Sequence, residues 1–226
     1  MQTRSSYFRS ALTWLPELLL RVVLVLAGWG VTHLGAFFAV RAKAALIATF
    51  LLSFAVGTAF RIEFNPFRNT GGREPPWAIV LGALSLSVIY ALVSWLDRAG
   101  VFTFPDWPAL RWLGVGFFAS GDMIRLLALR ELGRQYSALL TIQAEHQLIQ
   151  TGLYRRIRHP FYLGQLLAEP GIMLALRSPL AILIVAASVP FAVKRMNREE
   201  QILLHQFGAS YRNYCERTNR LLPHVY

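Results

Sequence analysis

The residues best suited to chemistry lie between Gly152 and Gly164, in the sequence Gly-Leu-Tyr-Arg-Arg-Ile-Arg-His-Pro-Phe-Tyr-Leu-Gly. Pro160 disfavours the α region for His159, so a helix is predicted to begin at the proline. A helix N-terminus attracts anions, and positive side chains precede this one. They are Arg155, Arg156, Arg158 and His159. With the hydroxyls of Tyr154 and Tyr162, the stretch predicts a pocket for a small ligand that carries a carboxylate or phosphate and an aromatic ring.

The same stretch also fits a second interpretation, an anchor at a membrane surface. Arginines would then contact lipid phosphates, and tyrosines would lie in the aromatic belt. These residues by themselves leave both interpretations open.

A second candidate pair lies downstream. Arg195 and Glu199 are four residues apart and share one helical face. Arginine offers a planar fork to a carboxylate, and glutamate accepts from an ammonium. Beside His159, Tyr154 and Tyr162, the pair would bind both ends of a zwitterion. Taken alone, the spacing favours an ordinary surface salt bridge.

Composition indicates the environment of these residues. Of the 226 residues, 55% are hydrophobic and 15% are charged, and the mean hydropathy is +0.42. A soluble domain has about 25% charged residues. The net charge of +11 lies in gaps between apolar runs, which favours a membrane protein over one that binds nucleic acid. The single cysteine, Cys215, lacks the neighbours of a zinc site, so no metal is expected.

The apolar runs predict an all-α, polytopic transmembrane bundle. Four runs precede the candidate site: Leu15 to Val40, Ala44 to Phe60, Trp77 to Leu96 and Ala109 to Leu132. The stretch from Pro160 to about Lys194 predicts a helical hairpin with Arg177 at its tip, for about five to six spans in total. An amphipathic helix is predicted from Met196 to Leu222, with Gly208 as a candidate cap. Asp122, Arg125 and Glu169 fall inside spans and should face protein or a cavity.

The distribution of basic residues predicts the orientation. With the N-terminus inside, most basic residues fall on the cytoplasmic side. The outside loops hold Arg41, Lys43, Arg98, Arg111 and Arg177. Both termini are therefore expected in the cytoplasm. The segments Gly133 to Arg158 and Met196 to Tyr226 then share one side and can form one site.

The chain from Leu132 to Pro223 resembles the isoprenylcysteine carboxyl methyltransferase family and its phospholipid methyltransferase relatives. The matching pieces, in order, are Leu132-Gly133-Arg134-Gln135-Tyr136-Ser137, Gln143, His146-Gln147-Leu148-Ile149, Gly152-Leu153-Tyr154, Arg158-His159-Pro160-Phe161-Tyr162-Leu163-Gly164, Glu199-Glu200, Phe207-Gly208-Ala209-Ser210-Tyr211 and Tyr214. The downstream pair of glutamates and the Phe-Gly-x-x-Tyr sequence make this combination specific.

The resemblance implies a membrane methyltransferase that uses S-adenosylmethionine and transfers a methyl group to a lipophilic acceptor. It implies a cytosolic cofactor pocket lined by Gln143, His146, Gln147, Leu148, Ile149, Tyr154, His159, Pro160, Phe161 and Tyr162. Glu199 would hold the cofactor's amino group, and Arg195 would face the substrate, so these two are the catalytic candidates. Residues 131–226 would form the catalytic region, and residues 1–130 would shape an acceptor tunnel that opens to the bilayer.

The identity of the acceptor is less constrained. The chain shows no obvious dedicated base, which favours a carboxylate or thiolate acceptor over an amine. An isoprenylcysteine-like carboxylate, a small thiol or a lipid would fit, as would a lipidated substrate held among membrane lipids. Two other functions remain open: an NADPH-dependent membrane reductase of the sterol type, and a non-enzymatic transporter or scaffold.

Overall fold

A computed structural model describes residues 3–60, 62, 76–136 and 147–222. The chain in these ranges is helical. The α-helices are α1 Thr3–Trp29, α2 Leu34–Ala39, α3 Arg41–Ala59, α4 Pro76–Ala99, α5 Pro108–Leu132, α6 Pro160–Ala175, α7 Leu180–Phe207 and α8 Ala209–Arg217. Short 3-10 helices lie at Val31–His33, Gly133–Gln135 and Gly152–Arg155. The predicted all-α class is confirmed.

Several of these helices are long and apolar enough to cross a membrane. In the described ranges there are four, Arg41–Ala59, Val80–Ala99, Pro108–Leu132 and Leu180–Phe207. A fifth results if the pair Leu18–Trp29 and Val31–Ala39, bent by 78°, is counted as one span. Five is the lower end of the predicted count. The protein is therefore an integral, multi-pass membrane protein.

The first apolar run differs from its prediction. One continuous helix was expected from Leu15 to Val40, but Gly30, at φ 101°, separates α1 from the following 3-10 helix. Glycine adopts this conformation without the steric penalty that a Cβ brings. A loop was expected at Arg41 and Lys43, and this was wrong, because α3 begins at Arg41.

A seam of glycines joins α5 to α6. A Cβ on Gly164 would lie 2.5 Å from the carbonyl oxygen of Gly121, so no larger residue fits at this crossing. Gly114 and Gly171 make the same kind of approach further along the two helices. Small residues allow helix backbones to approach closely in membranes. The seam therefore fixes the position of α6, whose first turn carries the candidate site.

The predicted helical hairpin is present as α6 and α7. Arg177 lies at its tip with a positive φ of 55°. Helix α6 has 16 residues and is about 24 Å long, shorter than the roughly 30 Å hydrocarbon core. Helix α7 has 28 residues and ends at Gly208, the predicted cap, where φ is 52°. Because α7 is longer than α6, its C-terminal turns pass the start of α6 and meet the loop before it.

A buried charged network closes the end of the bundle opposite to this loop. Asp97 of α4 receives three cations: Lys43 Nζ at 2.7 Å, Arg111 Nη2 at 3.1 Å and Arg177 Nε at 2.6 Å. The Lys43 ammonium also lies 3.3 Å from the centroid of the Trp29 ring. Lys43 was expected in an outside loop, but it is only 1% exposed. The Asp97 carboxylate and the Trp29 ring take the place of the water that would otherwise solvate its ammonium group.

The other ionisable residues inside the bundle also have partners within the protein. Arg21 of α1 lies 3.6 Å from Glu169 of α6, and Tyr90 of α4 donates a hydrogen bond to the same carboxylate. Arg125 lies 3.5 Å from Asp122 on α5. All five side chains are buried or nearly so. The expectation that Asp122, Arg125 and Glu169 face protein is confirmed.

Candidate active site

The loop before α6 is held by the C-terminal segment, the residues that follow α8. The backbone N–H groups of Arg158 and His159 donate to the carbonyls of Asn219 and Arg220, at 2.8 and 3.1 Å. The Asn219 N–H donates in return to Arg156 at 3.0 Å. Pro160 is the first residue of α6, as the sequence predicted, and His159 is 3% exposed. The residues after α8 therefore fix the backbone that presents His159.

Glu200 of α7 joins the loop, α7 and the C-terminal segment through its carboxylate. Arg158 Nε donates to Oε1 at 3.0 Å, and His159 Nε2 lies 3.0 Å from the same oxygen. Arg220 donates from Nε to Oε1 at 3.2 Å and lies 3.0 Å from Oε2 through Nη2. Arg158 also donates to the carbonyls of Cys215 and Thr218. These bonds satisfy the Glu200 carboxylate within the protein.

Glu199, the residue before Glu200, lies nearest to Nδ1 of His159, whereas Glu200 lies nearest to Nε2. Arg195 Nε donates to the Tyr162 hydroxyl at 2.9 Å, and the negative charge of Glu199 acts on the same hydroxyl. The His159 Nδ1 atom lies 3.8 Å from Glu199 Oε2. The Glu199 side chain is 33% exposed, against 20% for Glu200. Tyr162 is thus bonded to Arg195 and lies within electrostatic reach of Glu199, whose partly exposed carboxylate is accessible to a ligand.

Aromatic side chains surround this polar group. The ring of His159 packs edge-on to Tyr162, with centroids 5.7 Å apart, and Tyr136 packs against Phe161 at 5.3 Å. Tyr154 is 7% exposed, and the Tyr214 hydroxyl donates to its carbonyl at 2.7 Å. Burial is the main cause that raises the pKa of Tyr154 well above its ordinary value, and the negative charge of Glu199 adds to the increase. The phenol therefore stays neutral.

The family of the chain follows from comparison with known proteins. The model of the isoprenylcysteine carboxyl methyltransferase (ICMT) family matches residues 113–205. Protein-S-isoprenylcysteine O-methyltransferase B of Arabidopsis thaliana is 31% identical over 157 residues, which are 65% of this chain and 80% of the plant protein. This chain belongs to the isoprenylcysteine carboxyl methyltransferase family. It is a membrane methyltransferase, and the family assignment favours this function over the reductase and transporter alternatives.

Two further proteins to which the chain is similar are also isoprenylcysteine methyltransferases by name. Protein-S-isoprenylcysteine O-methyltransferase of Dictyostelium discoideum is 29% identical over 135 residues, covering 58% of this chain and 55% of that protein. The solved structure of the eukaryotic intramembrane Ras methyltransferase, an isoprenylcysteine carboxyl methyltransferase, superposes with a TM-score of 0.55 at 20% identity. The match covers 81% of this chain and 66% of the solved one. This likeness shows that the helical fold of the family is present here.

The structure brings part of the predicted site of this methyltransferase together. His159 contacts both Glu199 and Tyr162, Arg195 bonds Tyr162, and Tyr154, Pro160 and Phe161 lie around them. Gln147, Leu148 and Ile149 form an irregular segment before the Gly152–Arg155 turn. Gln143 and His146 lie outside the described residues. The ligand-binding roles of all these residues remain predictions.

Other residues of the cluster have partners that the sequence did not indicate. Arg158 was grouped with the residues that would attract a ligand anion, but its guanidinium is bound to Glu200 and to two carbonyls. The sequence did not indicate that Arg158 and Arg220 would both bond Glu200. It also did not indicate that Tyr136 would pack against Phe161 or that Tyr214 would bond Tyr154. The signal available was the family match, which includes Glu200, Tyr136 and Tyr214, but a motif does not say which way a side chain points.

Proposed function

We propose that this methyltransferase binds S-adenosylmethionine between the His159–Tyr162 turn and α7, and transfers its methyl group to the carboxylate of an isoprenylcysteine-like acceptor. The observation that carries the proposal is the pair Arg195 and Glu199, one helical turn apart on α7 beside Tyr162, whose hydroxyl accepts from Arg195. The pair offers one cation and one partly exposed carboxylate. These charges complement a carboxylate acceptor and the ammonium of the donor.

The residues present fit the donor. Glu199 offers an accessible carboxylate to an ammonium, and the faces of Tyr162 and Phe161 suit an aromatic base. Gln135 adds a buried carbonyl oxygen, Oε1, that has no hydrogen-bond partner among the described residues. A buried acceptor of this kind fits a ligand that carries N–H or O–H donors. Residues 131–226 therefore supply the donor site in this proposal, together with the segment that holds Gln143 and His146.

The reaction needs alignment more than acid–base chemistry. S-adenosylmethionine, when bound, supplies an activated methyl group on a sulfonium. Arg195 would bind one oxygen of the acceptor carboxylate and leave the other directed at the methyl group. The carboxylate is already ionised at neutral pH, so no residue has to remove a proton. Tyr162 would hold the Arg195 guanidinium in place through their hydrogen bond, and the surrounding apolar helices would exclude water.

The nature of the acceptor follows from the family and the fold. The relatives are named for methylation of protein-bound isoprenylcysteine, and the chain here is built from apolar helices. We infer that the acceptor is lipophilic, lipidated or small, and that it enters from the membrane beside helices of residues 1–130. The excess of basic residues near the site supports a position on the cytoplasmic side, together with both termini. A small thiol or lipid is the alternative acceptor.

The test is calorimetric titration of S-adenosylmethionine and S-adenosylhomocysteine into detergent-purified protein. Wild type should bind both ligands, and Glu199→Gln should bind them about 10- to 150-fold more weakly, because a charge-assisted hydrogen bond contributes about 1.5–3 kcal/mol. The matched control is Glu216→Gln, which removes an exposed carboxylate of α8 and should bind like wild type. Failure of folded wild type to bind either ligand would contradict the proposal, and NADPH should then be titrated.

A further inference from the structure

The adjacent glutamates Glu199 and Glu200 contact different nitrogens of one imidazole. His159 Nε2 lies 3.0 Å from Glu200 Oε1, and Nδ1 lies 3.8 Å from Glu199 Oε2. The first distance is that of a hydrogen bond, and the second is longer than one. An ionised carboxylate can only accept, so the proton of this bond belongs to His159 Nε2. In the neutral ring, Nδ1 is then an acceptor on the side of Glu199.

Glu200 is poorly placed to bind a ligand itself. Its two oxygens already receive Arg158, His159 and Arg220, and the first two come from the loop that precedes α6. The Arg158 and His159 backbone is fixed in turn by Asn219 and Arg220. Glu200 therefore acts on the site through the His159 ring, which is 3% exposed and held in one orientation.

Glu199 Oε2 and His159 Nδ1 form a pair of acceptors on the ligand side. Two acceptors 3.8 Å apart can both accept from a single nitrogen at about 2.9 Å from each. A ligand ammonium has three hydrogens, so it can donate to both atoms and still have one left. A ligand carboxylate would be repelled by Glu199 and could not accept from an unprotonated Nδ1.

We propose that Glu200 is a positioning residue, which holds His159 with its proton on Nε2 so that Nδ1 and Glu199 together accept from the amino group of the methyl donor. This inference rests on the proposed function for the identity of the ligand. The geometry of His159 between the two glutamates is independent of that identity. The two parts can therefore be tested separately.

The first experiment is a binding cycle by calorimetry. S-adenosylhomocysteine and its analogue without the α-amino group are titrated into wild type and Glu200→Ala. Loss of the amino group should weaken binding to wild type by about 100-fold, since it removes bonds to a carboxylate and to Nδ1. In Glu200→Ala, S-adenosylhomocysteine should bind about tenfold more weakly, and the analogue should change less than threefold. A purely structural role would weaken both ligands equally, and that result would overturn the proposal.

The second experiment keeps the proposal testable if Glu200→Ala does not fold. Imidazole nitrogen shifts are measured by NMR in uniformly labelled wild type, with His159→Asn used to assign the signals of His159. The expected result is a protonated Nε2 and an unprotonated Nδ1 in the absence of ligand. An Nδ1–H tautomer or an imidazolium would contradict the proposal. If this result holds and S-adenosylhomocysteine fails to bind wild type, the proposed function fails, and the assignment of the amino group fails with it.

Discussion

Two clusters of charged side chains lie at opposite ends of the helical bundle, one around Asp97 and the other around Glu199 and Glu200. The Asp97 side chain has no exposed surface and receives Lys43, Arg111 and Arg177. At the other end, Glu200 is likewise bound to cations, but Glu199 is 33% exposed. The Asp97 carboxylate is satisfied by cations of the protein, whereas the Glu199 carboxylate is left available to a ligand.

The difference separates a stabilising network from a binding site. Asp97 joins α4 to α3, α5 and the hairpin tip, and every partner is a protein cation. Removing one member of such a buried network leaves charges without compensation. Arg195 bonds the Tyr162 hydroxyl, and the Glu199 side chain remains 33% exposed. Changes at the first cluster should therefore affect folding, and changes at the second should affect ligands.

The largest expected effect is on stability, for Asp97→Ala. Lys43, Arg111 and Arg177 would be left as buried cations, so the free energy of unfolding should fall by about 3–5 kcal/mol. Thermal unfolding in detergent or nanodiscs measures the loss. The matched control is Asp106→Ala, because Asp106 also bonds Arg111, at 2.6 Å, but its side chain is 57% exposed. The control should change stability by about 1 kcal/mol or less. Equal losses for the two variants would contradict the distinction between buried and exposed partners.

A smaller effect, on turnover, is expected for Arg195→Gln. The variant loses the cation proposed to bind the acceptor carboxylate, so kcat/KM for an isoprenylcysteine acceptor should fall about 100-fold, or about 2.7 kcal/mol. Affinity for S-adenosylhomocysteine should change less than threefold, since Glu199 is intact. Lys194→Gln, at the exposed neighbouring position, is the control and should resemble wild type. A loss of donor affinity as large as the loss of kcat/KM would place Arg195 at the donor instead.

The smallest effect is expected for Tyr162→Phe. The ring contacts with His159 and Phe161 remain, and the lost hydroxyl is the acceptor of the Arg195 Nε hydrogen bond. A hydrogen bond from a charged group contributes about 1.5 kcal/mol or more, so kcat/KM should fall about tenfold while the melting temperature stays within a few degrees. Tyr214→Phe removes a buried hydroxyl of equal size from α8 and should lower stability instead. Unchanged kinetics in Tyr162→Phe would show that this hydrogen bond does not align the site.

Much of the fold was predictable because membrane helices need long apolar runs. The runs ending near Phe60, Leu96 and Leu132 appear as α3, α4 and α5 with similar bounds. The hairpin tip at Arg177 and the helix end at Gly208 were also predicted. The bend at Gly30 was missed because a lone glycine inside an apolar run is compatible with a straight helix.

The sequence predicted which residues belong to the candidate site better than it predicted which of them bond one another. The sequence alone determined that helices cross the membrane, that Pro160 begins α6, and that Arg195 and Glu199 share a face of α7, because hydropathy and helical periodicity are local properties. Only the tertiary structure decided that Glu200 is satisfied within the protein while Glu199 stays partly exposed, and that Lys43 is buried beside Asp97. Arg158 lies 42 residues before Glu200 in the chain, and such a pairing depends on how α6, α7 and the C-terminal segment pack together.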